Sequence, residues 1–270
     1  MTVKSPYEMK SGDLPVSIYR TSEEMGYEAA REAAGIMQRA IRDKGVANII
    51  IATGNSQLTF LAALREMEGI DWSKVNVFHM DEYVGIDPDH PASFPGLLHR
   101  HIIDHVKPKA FYPVPGQAED LEKACQEYES LLRANPADLC AAGIGENGHL
   151  AFNDPSTADF DDPAWVRVVQ LETTSRRQQV EEGHFKTVNE VPKRAITLTI
   201  PALLAAKNLL VIVPEKRKAE AVFRTLNDRI GPACPATILR RTSHAHLFLD
   251  SDSAARVLPP TNCWEPEVRQ

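Results

Sequence analysis

Hydrophobic positions along the chain follow two alternating patterns. Residues 47–53 (ANIIIAT), 137–145 (ADLCAAGIG) and 208–213 (NLLVIV) are apolar with little interruption. A strand with one wet face alternates in polarity, so such runs predict strands covered on both faces. Further strands are predicted at 16–20, 75–80, 166–171, 195–199 and 245–250. Thr21 and Glu24 form a T-x-x-E capping box, which opens a helix running to about residue 44. Other helices are predicted over 57–68, 94–105, 118–133, 173–181 and 215–227, with short ones after residues 199 and 250. This repeated strand–helix order predicts an α/β fold: a single doubly wound, mostly parallel sheet with helices on both faces. Residues 16–256 are expected to form the domain, with 1–15 an N-terminal extension and 257–270 a C-terminal tail. Ligands of open sheets gather at the carboxyl ends of the strands.

Composition narrows the function classes. The 270 residues are 43% hydrophobic and 25% charged, enough apolar material for a full core and too much for a disordered chain. Thirty Lys and Arg against 37 Asp and Glu give a net charge of −7, which argues against a nucleic-acid partner. A small anion is still compatible, since a pocket can be positive while the whole is negative. No apolar run approaches the ~18 residues of a membrane helix, and the first 16 residues lack the apolar centre of a secretory leader. A cytoplasmic location and no membrane partner are therefore expected. Cysteines 125, 140, 234 and 263 have no CxxC spacing, which suits reduced thiols and no metal site.

Three predicted strand ends carry unusual residues. After 47–53 comes Thr53-Gly54-Asn55-Ser56, ahead of a helix. Glycine admits close backbone approach, and a helix start offers free N–H groups, a combination suited to phosphate. An ordinary tight turn explains the same residues, and neither a Walker A nor a GxGxxG motif is present. After 75–80 come Asp81 and Glu82; adjacent carboxylates can raise one another's pKa into the range useful for proton transfer. A loop-capping role is the alternative. After 137–145 the chain reads Glu146-Asn147-Gly148-His149, then Asp154. His149 can move protons near neutral pH, with Asn147 and Asp154 as orienting partners. The cationic run 216–218 opens the helix after 208–213, where a lysine could reach the same sheet edge.

The segments ATGNSQ, FHMDEYVGIDPDHPASF, GIGENGHLAFNDP, VPKRAITLTIPALLAA and VIVPEKRKA resemble, in order and spacing, glucosamine-6-phosphate deaminase (isomerase) of the glucosamine-6-phosphate isomerase/6-phosphogluconolactonase family, over roughly residues 16–256. The resemblance implies a Rossmann-like fold and conversion of glucosamine 6-phosphate and water to fructose 6-phosphate and ammonia, without cofactor or metal. It implies that Asp81 moves a proton between carbons 2 and 1, and that His149, supported by Asn147 and Asp154, opens the sugar ring. It places Thr53, Gly54, Asn55, Ser56 and Lys218 on the phosphate, and Glu82 and Gly148 beside the reacting groups. Members of the family range from monomers to hexamers, so a homo-oligomer is compatible with it.

Several positions depart from the family pattern. Asn147 stands where many members have Asp, and Asp154 where Glu is more usual. The phosphate-binding arginine has no clear counterpart; Arg176 or Arg177 is the nearest, with Arg177 the candidate for the role, or the role is vacant. The acidic stretch 156–162 does not match the basic cluster by which some bacterial members bind N-acetylglucosamine 6-phosphate, so activation by that sugar is not expected. The departures leave open another substrate, galactosamine 6-phosphate or a 6-phosphogluconolactone, or a non-catalytic sugar-phosphate sensor. The HxAFNxP pattern disfavours the lactonase, and the retained Asp81 and His149 disfavour the sensor.

Overall fold

The structure is a computed structural model, and residues 5–258 are described. Strands β1 (Tyr7–Ser11) and β2 (Leu14–Tyr19) form an antiparallel hairpin, so most of the expected N-terminal extension is an edge of the main sheet. Helix α1 (Ser22–Lys44) starts as its sequence predicts: the Thr21 side chain accepts from Glu24 N–H at 3.2 Å. It ends at Gly45, in the left-handed conformation. Its alanines at 29, 30, 33 and 34 are buried.

Next come β3 (Ala47–Ile51), α2 (Leu58–Arg65) and β4 (Val75–His79). After a single residue the chain enters β5 (Asp81–Tyr83). The predicted helix over 94–105 is α3 (Phe94–Leu98), a π-helical stretch His99–Ile103 and α4 (Asp104–Val106). There follow β6 (Ala110–Tyr112), α5 (Leu121–Ala134), β7 (Leu139–Ala142), β8 (Val166–Gln170) and α6 (Thr173–Glu181). The chain continues through β9 (Arg194–Leu198), α7 (Ile200–Leu204), β10 (Leu209–Val213), α8 (Ala219–Asn227) and β11 (Ala245–Asp250).

The main sheet has the order β1-β2-β11-β10-β7-β3-β4-β6, parallel except for the β1 hairpin. Every residue of β3, β4, β7 and β10 is buried, as expected of mostly apolar strands covered on both faces; Asn48, Asn76 and His79 are the polar residues buried within them. Two apolar layers cover the faces, one around Leu203, Val222 and Leu239, the other around Met37, Phe60 and Leu64.

Not all predicted strands join this sheet. β5, β9 and β8 form a separate three-stranded antiparallel sheet. Arg167 and Gln170 leave β8 only partly buried, unlike the mostly apolar and fully buried central strands, and that was the available signal. The small sheet explains the MDE segment. Met80 O accepts from Leu198 N–H at 2.8 Å, and Asp81 pairs with Thr197. Asp81 therefore sits where the chain leaves one sheet for the other.

From β3 the sheet grows through β4 toward β6; from β7 it grows through β10 toward β11. The order reverses between β3 and β7, so the loops leaving their carboxyl ends part and open a crevice. Among the described residues no helix is long and apolar enough to cross a membrane. Cys125, Cys140 and Cys234 are buried free thiols, while Cys263 and residues 259–270 of the expected tail lie outside the described residues.

Candidate active site

The crevice is a small cleft with a cavity volume of about 70 Å³. It is lined by the ends of four main-sheet strands, by Phe94 and Phe152, and by one face of α6. Of the residues singled out in the sequence, Thr53, Gly54, Ser56, Asp81, His149 and Lys218 line it together.

Asp81 is buried beside Glu82, and burial, reinforced by the Glu82 charge, pushes its carboxyl up to about 8. Glu82 does not line the cleft. Its carboxylate accepts from the Tyr83 and Phe94 N–H groups at 2.7 and 3.1 Å and from Ser93 Oγ at 3.1 Å, which fixes the start of α3. Burial raises Glu82 to about 7 despite those bonds. The neighbouring carboxylates thus differ in role: Asp81 faces the cleft, and Glu82 anchors backbone and biases Asp81 toward the protonated form.

His149 is held by a closed network. Its Nδ1 lies 2.8 Å from Asn147 Oδ1, and its backbone N–H donates to the same oxygen at 3.1 Å. Asn147 Nδ2 donates to Asp154 Oδ1 at 2.9 Å, which identifies Oδ1 of Asn147 as the acceptor. Nδ1 therefore carries the hydrogen in the neutral ring, and Nε2 keeps its lone pair. Asp154 is fully buried and also accepts from Ser175 Oγ and from Glu172 N–H at 3.0 Å. Burial alone would raise its pKa, but the bonds from His149, Asn147 and Ser175 outweigh it and hold Asp154 at about 2. The loop glycines serve this packing: a Cβ on Gly145 would fall 2.1 Å from the His149 ring. Gly148 contributes backbone only, its N–H donating to Gly145 O and its carbonyl accepting from Ala236 N–H. Asn153 Nδ2 donates at 2.8 Å to both Leu150 O and Leu198 O, tying the loop to β9.

The third group holds Gly54, Ser56 and Lys218. Gly54 takes φ 100°, open to glycine and strained for side chains. Gln57 Nε2 donates to Ser56 Oγ at 3.2 Å, leaving the hydroxyl hydrogen free to turn into the cleft. Asn55 is exposed and points elsewhere; its Nδ2 donates to Glu182 O at 3.1 Å. Lys218 is 2% exposed, and desolvation lowers its ammonium to about 8 against the pull of Glu182. The turn that delivers it is strained, with Glu215 at φ 82° and its N–H held 3.1 Å from Asp250 Oδ2.

Arg177 does not reach the cleft. Ser175, Gln178 and Gln179 are buried on α6 at helical spacing, and Glu182 just beyond continues that face; Arg177 projects from the opposite side and is exposed. Arg176 is engaged elsewhere, donating to Val188 O and Val191 O. Sequence reasoning missed Ser175, Gln178, Gln179 and Glu182, because α6 is polar except for Val180 and shows no apolar stripe to tell its faces apart.

Known proteins resemble this chain over most of its length. Residues 20–248 match the family model described as glucosamine-6-phosphate isomerases/6-phosphogluconolactonase. A glucosamine-6-phosphate deaminase of Bacillus cytotoxicus is 35% identical over 218 residues, 81% of each chain. A solved monomeric glucosamine-6-phosphate deaminase superposes with a TM-score of 0.82 at 29% identity, covering 92% of this chain and 99% of the other. A 6-phosphogluconolactonase from Shewanella baltica shares the fold, with a TM-score of 0.73 at 20% identity over 87% of this chain and 97% of its own. The chain therefore belongs to the glucosamine-6-phosphate isomerase/6-phosphogluconolactonase family.

Proposed function

We propose that the cleft converts glucosamine 6-phosphate and water to fructose 6-phosphate and ammonia, and that Asp81 and His149 carry the proton transfers. The observation behind this reading is that both line one cleft together with Lys218. One is a carboxylate raised toward neutrality, the other an imidazole whose Nε2 is left free by the bonds at Nδ1.

Ring opening needs a group that takes the proton of the anomeric hydroxyl and returns it to the ring oxygen as the bond from that oxygen to carbon 1 breaks. His149 Nε2 suits both halves of this transfer, and the ionised Asp154 behind Asn147 stabilises the transient imidazolium. In the open chain Asp81 takes the hydrogen of carbon 2 and gives it to carbon 1, through an enol-like intermediate. One carboxylate can serve both carbons because they are adjacent. Carbon 2 is then an imine, and addition of water releases ammonia and leaves the ketone. With an apparent pKa of about 8, Asp81 is a stronger base than an ordinary carboxylate, and the ionised form that acts as the base is about a tenth of the total at pH 7 and grows as pH rises. Gly54, Ser56 and Lys218 hold the phosphate, with the lysine as a point charge.

The test is ammonia release coupled to fructose 6-phosphate formation from glucosamine 6-phosphate, with galactosamine 6-phosphate alongside. Both products from the gluco epimer are expected. Turnover of the galacto epimer alone would move the specificity, and silence on both would overturn the reading.

A further inference from the structure

The end of the cleft that suits phosphate already contains a buried anion. The Glu182 side chain is 4% exposed and lines the cleft with Gly54, Ser56 and Lys218. Its Oε2 lies 3.8 Å from where a Cβ on Gly54 would stand, in the space beside the glycine loop. Its Oε1 accepts from Arg217 at 2.7 Å and from Gln178 Nε2 at 2.7 Å, and His184 Nε2 stands 3.5 Å from Oε2. Burial would raise its pKa, but His184, Arg217 and Lys218 outweigh that and hold it at about 2. The carboxylate is therefore ionised throughout the working range.

A phosphate dianion cannot share this space with a carboxylate at low dielectric without strong repulsion. The cations nearby are distributed to match. Arg217 is pinned between Glu182, Glu146 at 3.1 Å and Glu215 at 2.5 Å. Lys218 is buried and makes no direct ion pair among the described residues; its ammonium feels Glu182 and Arg217 only at longer range. Glu182 itself lies just beyond α6, outside the sheets, and its carbonyl is tied to the loop by Asn55.

We propose that Glu182 is a built-in stand-in for the substrate's phosphate: the phosphate displaces its carboxylate, and Arg217, released from that pair, becomes the guanidinium that completes the phosphate site beside Lys218. This rests on the reading of the cleft as a sugar-phosphate site. It accounts for the exposed Arg177 and the engaged Arg176, because the arginine is supplied by the turn after β10 and not by α6. Arg217 can present a bidentate fork, which suits a phosphate better than a second lysine would. Asn55 and Gln178, which hold Glu182 in place, give up those bonds as the exchange occurs.

The experiment measures binding of inorganic phosphate by calorimetry to the wild type, E182Q, E182D and the double variant E182Q/R217Q, each checked for folding by thermal melting. E182Q is expected to bind phosphate roughly tenfold or more tightly than the wild type. E182D, whose carboxylate is one methylene further back, is expected to gain a smaller factor in the same direction. The double variant is expected to lose the gain. Weaker or unchanged binding by folded E182Q would mean that Glu182 merely scaffolds the cations, and the proposal fails. A gain that survives in the double variant would remove Arg217 from the site and also overturns it. Because phosphate binding is read without turnover, absence of ammonia release from the wild type would count against the proposed reaction and not against this exchange.

Discussion

The two ends of the cleft are built in opposite ways. At the proton-transfer end, His149, Asn147 and Asp154 lie within eight residues, and their polar contacts close on one another. At the phosphate end, Gly54, Glu182, Arg217 and Lys218 come from three separate stretches and crowd charges of both signs into a buried space. The first end is satisfied as it stands. On the proposed reading, the second holds an ionised carboxylate in the space the substrate's phosphate would take. A rigid acid–base network needs no rearrangement to act, whereas a phosphate site filled by a surrogate charge trades affinity for selectivity toward ligands that can replace that charge.

The largest expected effect is at Asp81. Asp81→Asn should lower kcat for glucosamine 6-phosphate by roughly 10³-fold or more, as removal of the proton carrier requires. The same variant should gain thermal stability above pH 8. The sign follows from burial: the folded protein holds the Asp81 proton up to about pH 8, the unfolded chain only to about pH 4, so folding stability falls as pH rises between them. Asn removes that loss, and melting curves at pH 6 and 9 should show the difference.

Asp154→Asn comes next. It deprives the Asn147, Ser175 and Glu172 donors of a charged acceptor at a fully buried position. Turnover should fall by roughly 10²-fold, with a loss of about 1–3 kcal/mol of stability by denaturant titration. An activity loss at Asp154 as small as at an exposed residue would erase the contrast between the two ends.

The pH profile sharpens it. kcat/KM for the wild type should rise with pH on an acid limb near 8, as Asp81 loses its proton. Glu82→Gln removes a neighbouring negative charge that raises Asp81, so its limb should move to lower pH. A limb near 4 in the wild type would place Asp81 in water and not in the buried pocket. The smallest effect is expected at Arg177: Arg177→Ala should change KM less than about twofold, because the side chain is exposed and faces away from the cleft.

Legibility in the sequence followed the same division. The central strands were readable because each is mostly apolar with no alternation, and helix α1 because Thr21 and Gly45 mark its ends. Asp81 and His149 were readable because strand ends place them in contiguous segments. The second sheet was not: β8 and β9 look like further members of an alternating pattern until their antiparallel pairing with each other, and that of β9 with β5 at Asp81–Thr197, is seen. The phosphate end was legible only in part. Lys218 follows a strand that sequence predicts, but Glu182 follows a polar helix whose inward face depends on tertiary packing, and helical spacing alone cannot choose between Arg177 and its neighbours.

The most direct test of the central claim uses glucosamine 6-phosphate carrying deuterium at carbon 2, with turnover and label followed by NMR in the wild type and Asp81→Asn. The account predicts that the wild type removes the label from carbon 2, delivers part of it to carbon 1 of fructose 6-phosphate, and turns over more slowly than with unlabelled sugar. In Asp81→Asn the label should stay on carbon 2 although the sugar phosphate still binds. Removal of the label by Asp81→Asn at the wild-type rate would contradict the account.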